Sequence, residues 1–139
     1  MELFSEKHCS MCHKLGENGT AIGPDLTGVA RVSPKGITVM ILATRTEFVK
    51  SIRLKNLQQI PAIRVEDNGT VLHFYDLSKT PSALVEIEKS RVSAVGDSEV
   101  WRHPPSSANL NDEQLADIIA FIRWASYRDP KGVDPGEVR

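Results

Sequence analysis

Near its start the chain reads Cys9-Ser10-Met11-Cys12-His13, two thiols three positions apart followed at once by an imidazole. Thiols form thioethers with activated carbons, and a neutral imidazole binds transition metals through one ring nitrogen. At this separation two thiols reach the two vinyl-derived carbons on one edge of a porphyrin, and the next imidazole then lies below the iron. The spacing predicts one covalently attached haem c, held by Cys9 and Cys12, with His13 as a metal ligand. Two competing uses remain. A redox dithiol would employ the cysteines but leave His13 without a role. A structural zinc site would need further soft ligands, usually a second cysteine pair, and the chain has only two cysteines.

The elements that must position these residues are suggested by periodicity. Residues 2–15 form a short amphipathic piece that carries the cysteines. From Gly16 to Pro34 the chain is loop-like, punctuated by Gly16, Gly19, Gly23-Pro24, Gly28 and Ser33-Pro34. A helix is predicted over about 35–48, with Ile37, Ile41, Leu42 and Phe48 as its apolar stripe, Ser33 as its cap and Pro34 in its first turn. Between about 52 and 95 the period shortens. Residues 62–66, 70–75, 84–88 and 91–95 read as strands, and Asp67-Asn68-Gly69 is a strong hairpin signal because Asn and Gly tolerate positive φ. Pro61 is expected near an edge or a strand start.

The last helix carries the clearest pattern. Asn111 is placed to cap it, Gln114 to complete a capping box, and Leu110 with Leu115 to form a hydrophobic staple. Leu115, Ile118, Ile119, Ile122 and Ala125 then share one face, widened by Phe121 and Trp124. Residues 128–139, with Pro130, Gly132, Pro135 and Gly136, read as a tail. The sequence contains no internal repeat.

Over about residues 2–50 and 98–126 the chain resembles the class I cytochrome c family: a short helix entering C-x-x-C-H, a Gly-Pro-x-Leu loop and a terminal helix. The loop here is Gly23-Pro24-Asp25-Leu26-Thr27-Gly28. The resemblance implies that the Pro24 carbonyl accepts the His13 ring N–H and that Leu26 packs on the haem face. It implies a mainly α, cytochrome c-like fold with a small antiparallel β insert between the second helix and the distal-ligand loop. The whole chain, 1–139, would be a single domain: haem core, insert at about 52–95, and tail. The insert is similar to that of the haem-binding domain found at the ends of large planctomycete and verrucomicrobial proteins. One departure stands out. The family usually has an aromatic residue four positions before the first cysteine, where this chain has Ser5; Phe4 lies one residue further out. Phe4 or Leu3 would then meet the last helix near Phe121 and Trp124.

The family usually supplies a distal methionine followed by proline shortly before the last helix. That stretch is Trp101-Arg102-His103-Pro104-Pro105-Ser106 here, so the resemblance puts His103 in the distal metal-ligand position. Of the three methionines, Met1 is terminal, Met11 lies inside the pentad, and Met40 sits among Ile37, Ile41 and Ala43 as an ordinary core residue would. Met40 or an open distal position are the alternatives to His103. The paired prolines stiffen the loop and reduce the entropy lost in holding the imidazole. His8 is expected to point away from the haem, and His73, alternating with Val71 and Tyr75, to lie on a sheet surface. Arg31, Lys35, Trp101 and Arg102 have the chemistry to reach haem propionates, but each is more simply read as a surface residue.

Seventeen basic against 18 acidic residues, a net charge of -1, provide no concentrated positive field for nucleic acid. No apolar run approaches the ~18 residues of a membrane span. The start shows no signal-peptide pattern, yet haem attachment of this kind ordinarily takes place outside the cytoplasmic membrane. A mature, extracytoplasmic chain whose targeting segment has been removed is therefore expected. Glu86 and Glu88 suit a solvated strand face, and Asp112 and Glu113 the positive end of the last helix; no nucleotide loop or nucleophile motif accompanies them. The function expected is one-electron transfer with a redox partner protein, the domain serving a larger dehydrogenase in one version. The alternative is a haem-based sensor with a displaceable distal ligand.

Overall fold

Helix α1, Glu2–Glu6, buries one large side chain, Phe4, against the last helix. In this computed structural model, which describes residues 2–139, two two-residue strands follow, β1 (Lys14–Leu15) and β2 (Asn18–Gly19), paired antiparallel. A 3-10 turn, Leu26–Arg31, leads to α2, Pro34–Leu42. Ser33 caps α2 by accepting from the Gly36 N–H at 3.1 Å, and Pro34 fills the first turn, where no N–H is needed. Helix α3, Asp112–Tyr127, buries Leu115, Ala116, Ile118, Ile119 and Ile122 on one face. Its capping box is closed at both ends: Asn111 Oδ1 accepts from Gln114 N at 2.8 Å, and Asn111 N donates to Gln114 Oε1 at 3.1 Å. Phe4, Leu15, Ala30, Ile37, Leu110 and the α3 face form one core. Val138 belongs to it with no exposure, so residues 128–139 return to the core and do not trail as a free end.

The chain up to Thr44 and from His103 to Arg139 makes up this compact unit; Arg45–Arg102 make up a second. The second is a five-stranded antiparallel sheet of β3 (Val49–Leu54), β4 (Gln59–Asp67), β5 (Val71–Asp76), β6 (Ala83–Glu88) and β7 (Val92–Asp97), in the order β6-β5-β4-β3-β7. Four strands meander and the fifth returns, through a 3-10 turn at Lys89–Arg91, to pair with the first. At the β4–β5 turn Gly69 has φ +94°, and Asn68 Oδ1 accepts from the N–H groups of Thr70 and Val71. Alternation on β5 sends Leu72 and Phe74 inward and leaves His73 half-exposed opposite Glu86, 3.5 Å away. Ile52, Leu54, Ile60, Ala62, Leu72, Phe74 and Ile87 form a core of the sheet's own. Register shifts at Arg53/Leu54 and between Ile63 and Glu66, where Arg64 takes φ +55°, mark bulges of the kind that coil a sheet.

The expectation of a mainly α fold with a small insert is therefore corrected. Helix and strand contents are comparable, 36% and 27%, and the sheet has five strands where four short runs were read. The extra strand, β3, begins just past the predicted end of the second helix at about 48, in a stretch read as neither helix nor strand. That helix stops at Leu42 because Ala43 turns to an extended conformation, φ -59° and ψ 127°. Beyond it, Thr46 Oγ1 accepts from the Phe48 N–H, a local bond that competes with helix, and Phe48 is exposed. Pro61 is the third residue of β4, near its start, but β4 is an interior strand.

Candidate haem-binding site

Cys9–Met11 form a 3-10 turn preceded by His8, which is exposed and left-handed at φ 59°. The Cys9 carbonyl accepts from the N–H groups of Cys12 (3.2 Å) and His13 (2.9 Å), so the turn fixes cysteines and imidazole as one piece. The following loop folds back on it: Ile22 N and Gly23 N both donate to the Cys12 carbonyl, and Thr20 N to that of Ser10. Both cysteines are half-buried, and burial pushes the Cys9 thiol above its ordinary value.

Two glycines are required by this closeness. A β-carbon on Gly19, which has φ +87°, would lie 2.1 Å from the His13 carbonyl oxygen; one on Gly23 would lie 2.9 Å from His13 Cε1. The backbone can thus approach the ring closely enough for Pro24. The His13 Nδ1–H donates to the Pro24 carbonyl at 2.7 Å. Such a bond selects the tautomer and strengthens the ring as a donor at Nε2. Asp25 locks the loop by accepting from the Thr27 N–H at 2.8 Å, and this bond holds its carboxyl below the usual range. Leu26 opens the 3-10 turn and packs, half-buried, on the helical core.

His103 stands opposite. Its ring centre lies 6.1 Å from that of His13, with the ring planes at 89°. Its Nδ1–H donates to the Ile41 carbonyl at 3.0 Å, and its backbone N–H to the Thr44 carbonyl at 3.1 Å. The His103 carbonyl in turn accepts from Ser106 Oγ at 2.7 Å and Ser106 N at 2.9 Å, inside a 3-10 turn at Pro104–Ser107. Burial lowers the His103 pKa, and the neighbouring His13 acts in the same direction, which favours the neutral ring.

The fold thus gathers Cys9, Cys12, His13, Pro24, Leu26 and His103 within one unit. Met40 was expected to fill the core, but it is 49% exposed on α2 while Ile37 takes the buried position. Arg31 lies over the Tyr127 ring at 4.9 Å, Lys35 is exposed, and Trp101 and Arg102 belong to residues 45–102. The aromatic contact at α1 is made by Phe4, whose ring lies 5.3 Å from Phe121, while Ser5 is exposed. Sequence reasoning read Gly19 only as a loop residue and Ile41 only as part of an apolar stripe, and gave Thr44 and Ser106 no part in the site. A carbonyl acceptor has no side-chain signature; a serine three residues after His103, across two prolines, was the one available cue.

Among the described residues no group of three or more His, Cys, Asp or Glu side chains is disposed to hold a metal ion, and no helix is long and apolar enough to cross a membrane. No curated protein matches the chain. The family model described as cytochrome c matches residues 1–46, which include the pentad, Pro24 and Leu26; residues 47–139 lie outside the match.

Proposed function

We propose that this chain carries one c-type haem, bound through Cys9 and Cys12 with His13 and His103 as axial ligands, and that it transfers single electrons. The observation that carries this reading is the pairing of the two imidazoles. A metal–imidazole bond of about 2.0 Å on each side, plus ~1.1 Å from nitrogen to ring centre, asks for ring centres ~6.2 Å apart. The value found is 6.1 Å. Each ring also commits Nδ1 to a backbone carbonyl, which assigns Nε2 as the donor on both sides. The cytochrome c match over residues 1–46 supports the attachment half of the site independently.

When bound, the haem supplies the one-electron iron couple. The chain's own part is to hold and orient it through thioethers from Cys9 and Cys12 and two fixed rings, with Leu26, half-buried on the helical core, expected against its face. Two strong nitrogen donors favour ferric iron, so the potential lies below that of a His/Met relative. With both axial positions filled by protein, little space remains for substrate, which favours electron transfer with a partner protein over catalysis or gas sensing. An extracytoplasmic location follows from the chemistry of attachment.

The test has two parts. Holoprotein made with the maturation machinery should keep its pigment in acidified organic solvent and show a haem mass adduct; loss of pigment refutes the attachment. Ferrous holoprotein should bind carbon monoxide slowly or not at all, and prompt binding would favour a sensor.

A further inference from the structure

Residues on three sides fix His103 before any metal is considered. Its ring bonds to Ile41 in the last turn of α2, its N–H to Thr44 just beyond, and its carbonyl receives both the hydroxyl and the N–H of Ser106. Pro104 sets the first position of the turn, where its fixed φ costs nothing. Ile41 and Thr44 hold the residue from one side, whereas Ser106 keeps the turn that presents it from opening. Ser106 is itself half-buried, so its hydroxyl has limited competition from water.

We infer that Ser106 is a positioning residue for the distal imidazole, keeping His103 pressed toward His13 and closing the distal position to external ligands. This rests on the reading of His103 as an axial ligand. Without the Ser106 hydroxyl, the His103 carbonyl keeps only the Ser106 N–H as a partner within the turn, and the imidazole would be held less firmly in the distal position. The hydroxyl acts through His103 and does not touch the haem.

The experiment compares carbon monoxide binding to ferrous holoprotein of wild type, Ser106→Ala, Ser106→Thr and His103→Ala, with ferric spectra of each. Ser106→Ala should bind carbon monoxide about five- to tenfold faster than wild type, the factor expected from one hydrogen bond's net contribution. Its ferric spectrum should gain a high-spin component. Ser106→Thr, which keeps the hydroxyl, should restore wild-type behaviour in both; if the alanine variant fails to fold, Ser106→Cys, near-isosteric but with a weak S–H donor, makes the same comparison. Should Ser106→Ala match wild type while His103→Ala binds rapidly, the positioning role is wrong and the ligand assignment stands. Should His103→Ala also match wild type, both fall.

Discussion

An imidazole whose Nδ1–H is committed to a carbonyl offers a metal one nitrogen, in one orientation. His13 and His103 both meet that condition, through Pro24 at 2.7 Å and Ile41 at 3.0 Å. Replacing His103 by Met should raise the reduction potential and bring in a sulfur-to-iron charge-transfer band, read by redox titration and visible spectroscopy. An unchanged potential and spectrum would remove residue 103 from the coordination sphere. Gly23 makes a separate prediction. A methyl group there would press on the His13 ring at 2.9 Å, so Gly23→Ala should lower the yield of holoprotein, measured as haem per chain, while leaving the pentad intact. Type and spacing singled out Cys9, Cys12 and His13, and its place before a proline singled out His103; the fold brings these residues into one unit. Pro24 as the partner of His13 came from the family resemblance and is found at 2.7 Å; Ile41 and Thr44 were not legible, because they act through backbone atoms that every residue possesses.

Among the elements, α3 is specified most fully by its own sequence. Its capping box, staple and apolar face agree with one another, and Asn111→Ala should cost about 1 kcal/mol of stability, seen in denaturant unfolding. The β4–β5 hairpin was equally clear from Asp67-Asn68-Gly69. Strand β3 was not, since Val49-Lys50-Ser51-Ile52-Arg53-Leu54 interrupts the period of two with consecutive polar residues; pairing with β4 and β7 makes it a strand. The sheet also has a pH signature. Lys89 lies 2.8 Å from Asp67, and its hydrogen bond, followed by that from the Gly69 N–H, holds the Asp67 carboxyl below the ordinary range. Asp97, bonded to Lys50, is lowered likewise. A depressed carboxyl binds fewer protons folded than unfolded, so its contribution is present above the unfolded pKa of about 3.9 and is lost as pH falls through the folded value. Hydrogen-exchange protection of β4 and β5 should therefore decline as pH falls below about 4, and Asp67→Asn should make that decline shallower.

At the scale of the molecule, the described residues form two cores, one in each unit. Phe74 is fully buried among sheet residues only. Phe74→Ala should destabilise residues 45–102 by about 3–5 kcal/mol, judged by amide exchange across β3–β7. The visible spectrum of the holoprotein should stay unchanged, and loss of the haem bands would show that the two cores stand or fall together. The size of the second core was hidden in the sequence because its strands are short and interleave polar with apolar residues. Counting apolar runs recovered β4 to β7 but missed β3, the strand on which β7 closes the order. The return of Val138 to the first core was hidden for a similar reason: one valine among prolines, glycines and charges carries no period.

The chain departs from its first unit after Thr44 and rejoins it at His103, and those two residues share a backbone hydrogen bond. Everything between is therefore a detour whose two ends meet. The loop-closure cost of a segment spliced in at such a junction changes only slowly with its length, so the junction tolerates longer or shorter inserts. In lineages that vary this segment, the unit that carries Cys9, Cys12 and His13 need not change with it.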